Sequence, residues 1–158
     1  ATSWNDVPRA VVYAAERLLD VCSYFCFDYG LKNIGVALGN TLTNEARPLA
    51  ILPAAHGKPR WEEIEALVKE WQPKAFVVGN PIDEDGGPTE LSAKAAKFAR
   101  QLEGRLGLEV TLHDERFSSK EAKSRAKESG HKGDFVKHPI DDLAAAIILE
   151  SWLNRERY

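Results

Sequence analysis

A carboxylate closes an apolar strand in the run Phe27-Asp28-Tyr29-Gly30-Leu31-Lys32-Asn33-Ile34-Gly35-Val36-Ala37, where a Gly-punctuated turn leads into a second strand. That spacing leaves Asp28 beside a tight turn, where a phosphate or a metal ion can approach the backbone. Two later segments offer carboxylates in comparable settings. Leu108-Glu109-Val110-Thr111-Leu112-His113 alternates as a strand does and runs into Asp114-Glu115-Arg116, and Ile140-Asp141 stands where an apolar helix begins. If the three segments converge, Asp28, Glu115 and Asp141 form a set of hard oxygen ligands suited to Mg²⁺ or Mn²⁺. Ions of that kind catalyse phosphodiester hydrolysis.

Each residue also has a simpler reading. Asp before Gly is ordinary turn chemistry. The pattern Asp-x-Gly-x-x-x-x-Gly made by Asp28, Gly30 and Gly35 is shared with the phosphate hairpin of the actin and sugar-kinase ATPases, but those folds need two such domains to enclose ATP and this chain has one. Asp114 and Glu115 are adjacent, so on a strand they point to opposite faces and only one is expected to be a direct ligand. Glu115 is the expected ligand, with Asp114 supporting it or touching substrate; a first-turn acid favoured by a helix dipole is the alternative for Glu115. Arg116 has a planar fork suited either to holding Glu115 or to binding a phosphate. Ser118, with Glu121 three residues later, reads as a helix cap. Asp141 also has the composition of an N-cap, a task Asp142 can take instead.

The elements that must position these residues follow from periodicity. Strands are expected at about 23–28, 33–39 and 48–52; a helix opened by Pro59 carries the stripe Trp61, Ile64, Leu67, Val68 and Trp71. Ala75 to Val78 is a short strand suited to a sheet buried on both faces. After a Gly- and Pro-rich loop from Gly79 to Pro88, Leu91, Ala95, Phe98 and Leu102 mark a second amphipathic helix, which Gly107 separates from strand 108–113. A helix is expected to start directly after Glu115-Arg116, and a loop between Gly130 and Pro139 leads to a last helix at about 141–153, burying Ala144, Ile147, Ile148 and Leu149 near Trp152. The order βββαβαβα makes an α/β fold with a mixed central sheet and helices on both faces. Before it, Val11, Ala14, Ala15, Leu18 and Cys22 fall at helical spacing, so residues 1–22 form an N-terminal extension expected to hold a helix, and 23–158 the main domain.

With these residues in place, the chain resembles the YqgF/RuvX family, known as Holliday junction resolvases and as nucleases that process the 5′ end of pre-16S rRNA. The resemblance covers roughly residues 24 to 154 and is carried by Phe27-Asp28-Tyr29-Gly30, Val78-Gly79-Asn80-Pro81, Asp85-Gly86, Asp114-Glu115-Arg116-Phe117-Ser118-Ser119 and Ile140-Asp141-Asp142-Leu143-Ala144-Ala145. It implies an RNase H-like fold, a two-metal acidic site of Asp28, Glu115 and Asp141, and a nuclease acting first on pre-16S rRNA, with branched DNA as the alternative. A catalytically weak, nucleic-acid-binding assembly factor on the same fold is the rival from another class. Lys32, Arg116, Lys120 and Lys123 are the expected phosphate contacts; Asp114, Gly30, Gly35 and Ser118 are expected to support the site. Gly79, Pro81 and Gly86 match a family loop beneath the active site, but Asn80, Asp83 and Glu84 depart from it. Three consecutive acids, Asp83-Glu84-Asp85, repel a phosphate backbone unless a cation intervenes.

Bulk composition agrees with one domain. A chain of 158 residues with 44% hydrophobic residues can fill one real core and leaves no room for a second catalytic domain. Its net charge of −3 argues against a protein that coats nucleic acid nonspecifically. From Arg116 to His138, however, seven Lys/Arg stand against three Asp/Glu, so this stretch is +4 and the remainder −7. It reads as a local basic surface beside an acidic site or as a solvated helix face and loop. Cys22 and Cys26, on one strand, are about 13 Å apart, too far for a disulfide. They read as small core residues of a reduced, cytoplasmic protein. His56, His113, His131 and His138 lack zinc spacing. No apolar run reaches the roughly 20 residues that span a bilayer, and Arg17 and Asp20 spoil 7–22 as a signal peptide. The absence of Met, even at position 1, leads us to expect a translation start upstream.

Overall fold

The computed structural model describes residues 8, 10–11, 22–81, 89–115 and 141–155. The expected contacts Arg116, Lys120 and Lys123, the cap Ser118 and nearly all of the expected N-terminal helix lie outside the described residues. Strands β1 (Ser23–Asp28), β2 (Asn33–Asn40), β3 (Ala46–Ala55) and β4 (Lys58–Pro59) are followed by helix α1 (Trp61–Trp71), β5 (Ala75–Pro81), α2 (Glu90–Leu106), β6 (Val110–Glu115) and α3 (Asp141–Leu153). They build one six-stranded sheet in the order β4-β3-β2-β1-β5-β6. The β1–β2–β3 meander is antiparallel, whereas β5 joins β1 and β6 joins β5 in parallel. This is the mixed central sheet expected from the sequence.

The two faces of the sheet are built from residues of different size. Strand alternation sends Phe25 and Phe27, Ile34, Val36 and Leu38, and Phe76 and Val78 to one side, where they pack with Ile64 of α1 and with Ala95, Phe98 and Leu102 of α2. Stacked and edge-on rings tie this core together: Phe27 lies 5.5 Å from Phe76 and 5.6 Å from Phe98, centroid to centroid. The opposite side carries Cys26, Ala37 and Val77, against which α3 sets Ala145, Ala146, Ile148 and Leu149. Gly35, Gly39 and Gly79 share that side, and a methyl group at any of them would run into α3: the Asp141 carbonyl at Gly35, the Leu149 side chain at Gly39, Ile148 Cδ1 at Gly79. Small residues on this face are what let α3 lie flush across the strands. Helices thus cover both faces of the sheet.

Three expected boundaries differ. Pro59 does not open α1; it pairs with Ala54 in β4, and α1 begins at Trp61. The cause is a tight hairpin in which His56 (φ 52°) and Gly57 (φ 81°) both take positive φ, the geometry of a two-residue turn matched to strand twist. The same hairpin extends β3 to Ala55, beyond the expected 48–52. At the far edge β6 begins at Val110 and continues through Asp114 and Glu115, because β5 runs on to Pro81 and pairs Asn80 with Asp114 and Pro81 with Glu115. Cys22 and Cys26 form no disulfide with each other.

Candidate active site

Asp28 is the last residue of β1, and across the antiparallel ladder it faces Gly35. Cross-strand partners project to the same side of a sheet, and Gly35 projects towards α3, so Asp28 belongs to the α3 face. Directly over Gly35 lies the backbone of Asp141 and Asp142, so close that any side chain at position 35 would strike the Asp141 carbonyl. One glycine therefore joins the end of β1 to the first turn of α3. Gly30 has a comparable role in the turn between β1 and β2, where an added Cβ would stand 2.5 Å from the Asn33 carbonyl oxygen.

That turn is anchored from outside. The Lys32 carbonyl accepts the Ala54 N–H at 2.8 Å, the Leu31 carbonyl accepts the Gly57 N–H at 2.8 Å, and the Tyr29 hydroxyl donates to the Gly57 carbonyl at 2.8 Å. The β3–β4 hairpin, which sequence periodicity did not reveal, is thus the brace of the β1–β2 turn. Its signal was present in His56-Gly57, since a Gly at the second turn position supplies the required positive φ.

At β6 the alternation separates the two adjacent acids. Gly79 and His113 are register partners; Gly79 faces Ile148 and the His113 ring sits 3.1 Å from the Ser151 hydroxyl of α3, so this phase looks towards α3. Asp114 is in the other phase. It accepts a hydrogen bond from the Asn80 side-chain amide at 2.9 Å on the side opposite Asp28. Position 115 returns to the phase of His113.

Electrostatics single out the start of α3. Burial raises the Asp141 carboxyl above its ordinary pKa, the neighbouring Asp142 charge adds to the rise, and a hydrogen bond with its own backbone N–H offsets part of it. Asp142 is raised by burial as well, against backbone hydrogen bonds that include the Leu143 N–H at 2.9 Å. Asp142 therefore spends its side chain on the local backbone. Lys32 is exposed on the β1–β2 turn and shares with Asp141 a cleft of about 680 Å³, whose other walls are Gly30, Leu31 and Asn33 and the start of α2 at Thr89, Glu90, Leu91 and Lys94. Sequence reasoning named Lys32 but missed Leu31, Leu91 and Lys94, because α2 carries no sign in the sequence that its first turns approach Asp141. Among the described residues no cluster of three metal-ligating side chains is complete. What the structure brings together is the Asp141 backbone and Gly35, the register partner of Asp28.

A strand-end carboxylate and a helix-start carboxylate are hard-oxygen donors of the kind that can hold a divalent cation. Proteins of similar sequence cover most of the chain. A protein of Azotobacter vinelandii named "Putative pre-16S rRNA nuclease" is 50% identical over 127 residues, 80% of this chain and 89% of the relative. One of Pseudomonas syringae pv. tomato bearing the same name is 48% identical over 142 residues, 89% and 94% of the two chains. In three dimensions the chain is similar to the fowlpox virus resolvase solved with substrate Holliday junction DNA, at a TM-score of 0.51 and 12% identity, covering 86% of this chain and 99% of that one; this likeness establishes the RNase H-like fold. The family model described as RuvX, Holliday junction resolvase, matches residues 22–155, and on that span together with the close relatives the chain belongs to the RuvX family.

Proposed function

We infer that the protein is a divalent-metal-dependent nuclease that hydrolyses phosphodiester bonds, with Asp28, Glu115 and Asp141 as the ligands of Mg²⁺ or Mn²⁺. The observation that carries this reading is Gly35, which brings the Asp141 backbone against the partner position of Asp28. Glu115 is preferred over Asp114 because Asp114 is in the opposite phase and bonded to Asn80. Register puts Glu115 two strands from Asp28, roughly 10 Å across the sheet, and two residues or about 7 Å further along. The longer Glu side chain suits that gap, and the three carboxylates would hold one or two divalent ions. When bound, such ions activate the attacking water and stabilise the leaving oxygen. The chain's own residues hold the charge that fixes the ions, while Lys32, Arg116, Lys120 and Lys123 neutralise phosphates of the substrate strand. Asp114 and Ser118, close to Glu115 in sequence, are the residues we assign to supporting it.

The substrate we propose first is the 5′ end of pre-16S rRNA, after the names of relatives about half identical to this chain. A four-way DNA junction is the second reading, favoured by the description of the family model. A cytoplasmic setting goes with either; no helix among the described residues is long and apolar enough to cross a membrane. The test is Mn²⁺-dependent cleavage of a pre-16S 5′ leader and of a four-way junction by wild type and by Asp28→Asn, which keeps the size of the side chain and removes its charge. Wild type is expected to cut the leader and the variant neither substrate. Cleavage by Asp28→Asn at the wild-type rate would sink the metal reading, and a wild type that cuts neither substrate would favour a binding or assembly factor.

A further inference from the structure

The cleft beside Asp141 has the dimensions and lining of a binding site, at about 680 Å³ within the roughly 300–1,000 Å³ of pockets that take small ligands. Its composition is two-sided. Leu31, 42% exposed, and Leu91, half-buried at the start of α2, supply apolar surface; Lys32 and Lys94 stand at its rim. An exposed leucine on a turn held by three hydrogen bonds to the β3–β4 hairpin is a rigid apolar platform rather than a loop tip free to retract. Among the described residues Lys94 pairs with Glu90, one turn earlier, at 3.9 Å, in a solvent-exposed pair that does little to hold it. The lining also holds two carboxylates, Asp141 and the exposed Glu90, which lies beside Lys94; apolar walls with two rim ammonium groups make up a surface complementary to one nucleoside and the phosphates on either side of it.

We propose that this cleft receives an unpaired base of the substrate strand next to the scissile phosphate, with Leu31 and Leu91 against the base and Lys32 and Lys94 on the flanking phosphates. The proposal rests on the nuclease reading for the position of the scissile phosphate at Asp28 and Asp141. It adds a requirement on the substrate: a base can enter only where the strand is single or the base is turned out of its stack, so continuous duplex is disfavoured at the cut. A paired base would have to give up its stacking and pairing to enter.

The measurement is fluorescence anisotropy of a labelled oligouridine strand and of a blunt duplex of the same length, in EDTA so that nothing is cut, with wild type, Leu31→Ala, Lys94→Gln and Lys97→Gln. Lys97 lies on the same helix, is exposed and does not line the cleft, so it is the charge-matched control. Leu31→Ala is expected to weaken single-strand binding by about five- to tenfold, as loss of the leucine carbons buried against a base does, and to leave duplex binding unchanged. Lys94→Gln should lower the salt slope for the single strand by about 0.7, one phosphate's worth, and Lys97→Gln should not. Melting curves of the variants matching wild type exclude misfolding, and Leu31 is exposed enough for that match to be expected. Unchanged single-strand binding by Leu31→Ala, or equal losses on strand and duplex, overturns the proposal. Because binding is read without metal, cleavage by wild type in Mn²⁺ separately decides the nuclease reading: a chain that cuts normally while Leu31→Ala binds normally loses only the cleft, and a chain that never cuts yet loses single-strand binding in Leu31→Ala keeps a base-binding cleft but overturns its place beside a scissile phosphate.

Discussion

Asp141 and Asp142 enter the first turn of α3 half-buried, and burial holds both carboxyls above their ordinary range. A carboxyl whose folded pKa is raised contributes most favourably to stability below its unfolded value, and that contribution is lost as pH rises through the raised pKa. At neutral pH the Asp141 charge is therefore a burden on the fold that its proposed role requires. Asp141→Asn is expected to melt slightly higher than wild type at pH 7, by about 1–2 °C given partial exposure and chain size. The difference should shrink towards zero below about pH 4, where wild-type Asp is itself protonated. Cleavage by this variant should nevertheless collapse. A melting temperature below wild type at pH 7, read by calorimetry, would contradict the sign.

Small residues along the α3 face decide how the site is assembled. At Gly35 the obstacle to a methyl group is the Asp141 backbone, which can yield only if the helix moves; at Gly79 it is Ile148 Cδ1, the tip of a side chain that can rotate. Gly35→Ala is thus expected to cost about 1–3 kcal/mol or more, in the manner of an overpacked core, and Gly79→Ala to lie near or below the lower end of that range. Urea titrations give the ordering, and equal costs would mean that α3 is not seated as described. Gly35→Ala should also lower cleavage beyond its effect on stability, because it displaces Asp141 from Asp28. Much of this arrangement was readable beforehand. The strands at Ser23–Asp28 and Ala75–Val78 and the stripes on both amphipathic helices follow from apolar periodicity, which reports burial on one face. The β3–β4 hairpin was not, since His56-Gly57 is a weak turn sign between residues without alternation. Nor was the reach of β6 through Glu115, because polar residues at a sheet edge look like loop until their partners on β5 are known. Asp28 and Asp141 were legible as acids at element boundaries; that Gly35 joins them depends on a register no local pattern specifies.

Over the whole molecule, like charges gathered at one end of the sheet predict linkage to a cation. Mn²⁺ that binds the folded chain alone should stabilise it by RT ln(1 + [L]/Kd), about 2.7 kcal/mol at a hundredfold excess over Kd. For a domain of this size that raises the melting temperature by roughly 5–10 °C. Wild type should show the rise and Asp28→Asn should lose most of it; identical melts with Mn²⁺ and with EDTA would count against a preformed site. With a net charge of −3, a nucleic-acid substrate as proposed would depend on local basic stretches, of which residues 116–138, at +4, are one.

The flush seat of α3 over Gly35 also gives the site a timetable. Asp28 leaves the ribosome 113 residues before Asp141. At synthesis rates of about 5–20 residues per second the two acids are separated by roughly 6–23 s. During that interval β1 and β2 can pair, but the proposed site lacks a ligand. On the proposed assignment, a nascent chain still missing Asp141 holds two of the three carboxylates and is not expected to cut the RNA crowded around its own birthplace, so the last helix would act as the release of a safety catch.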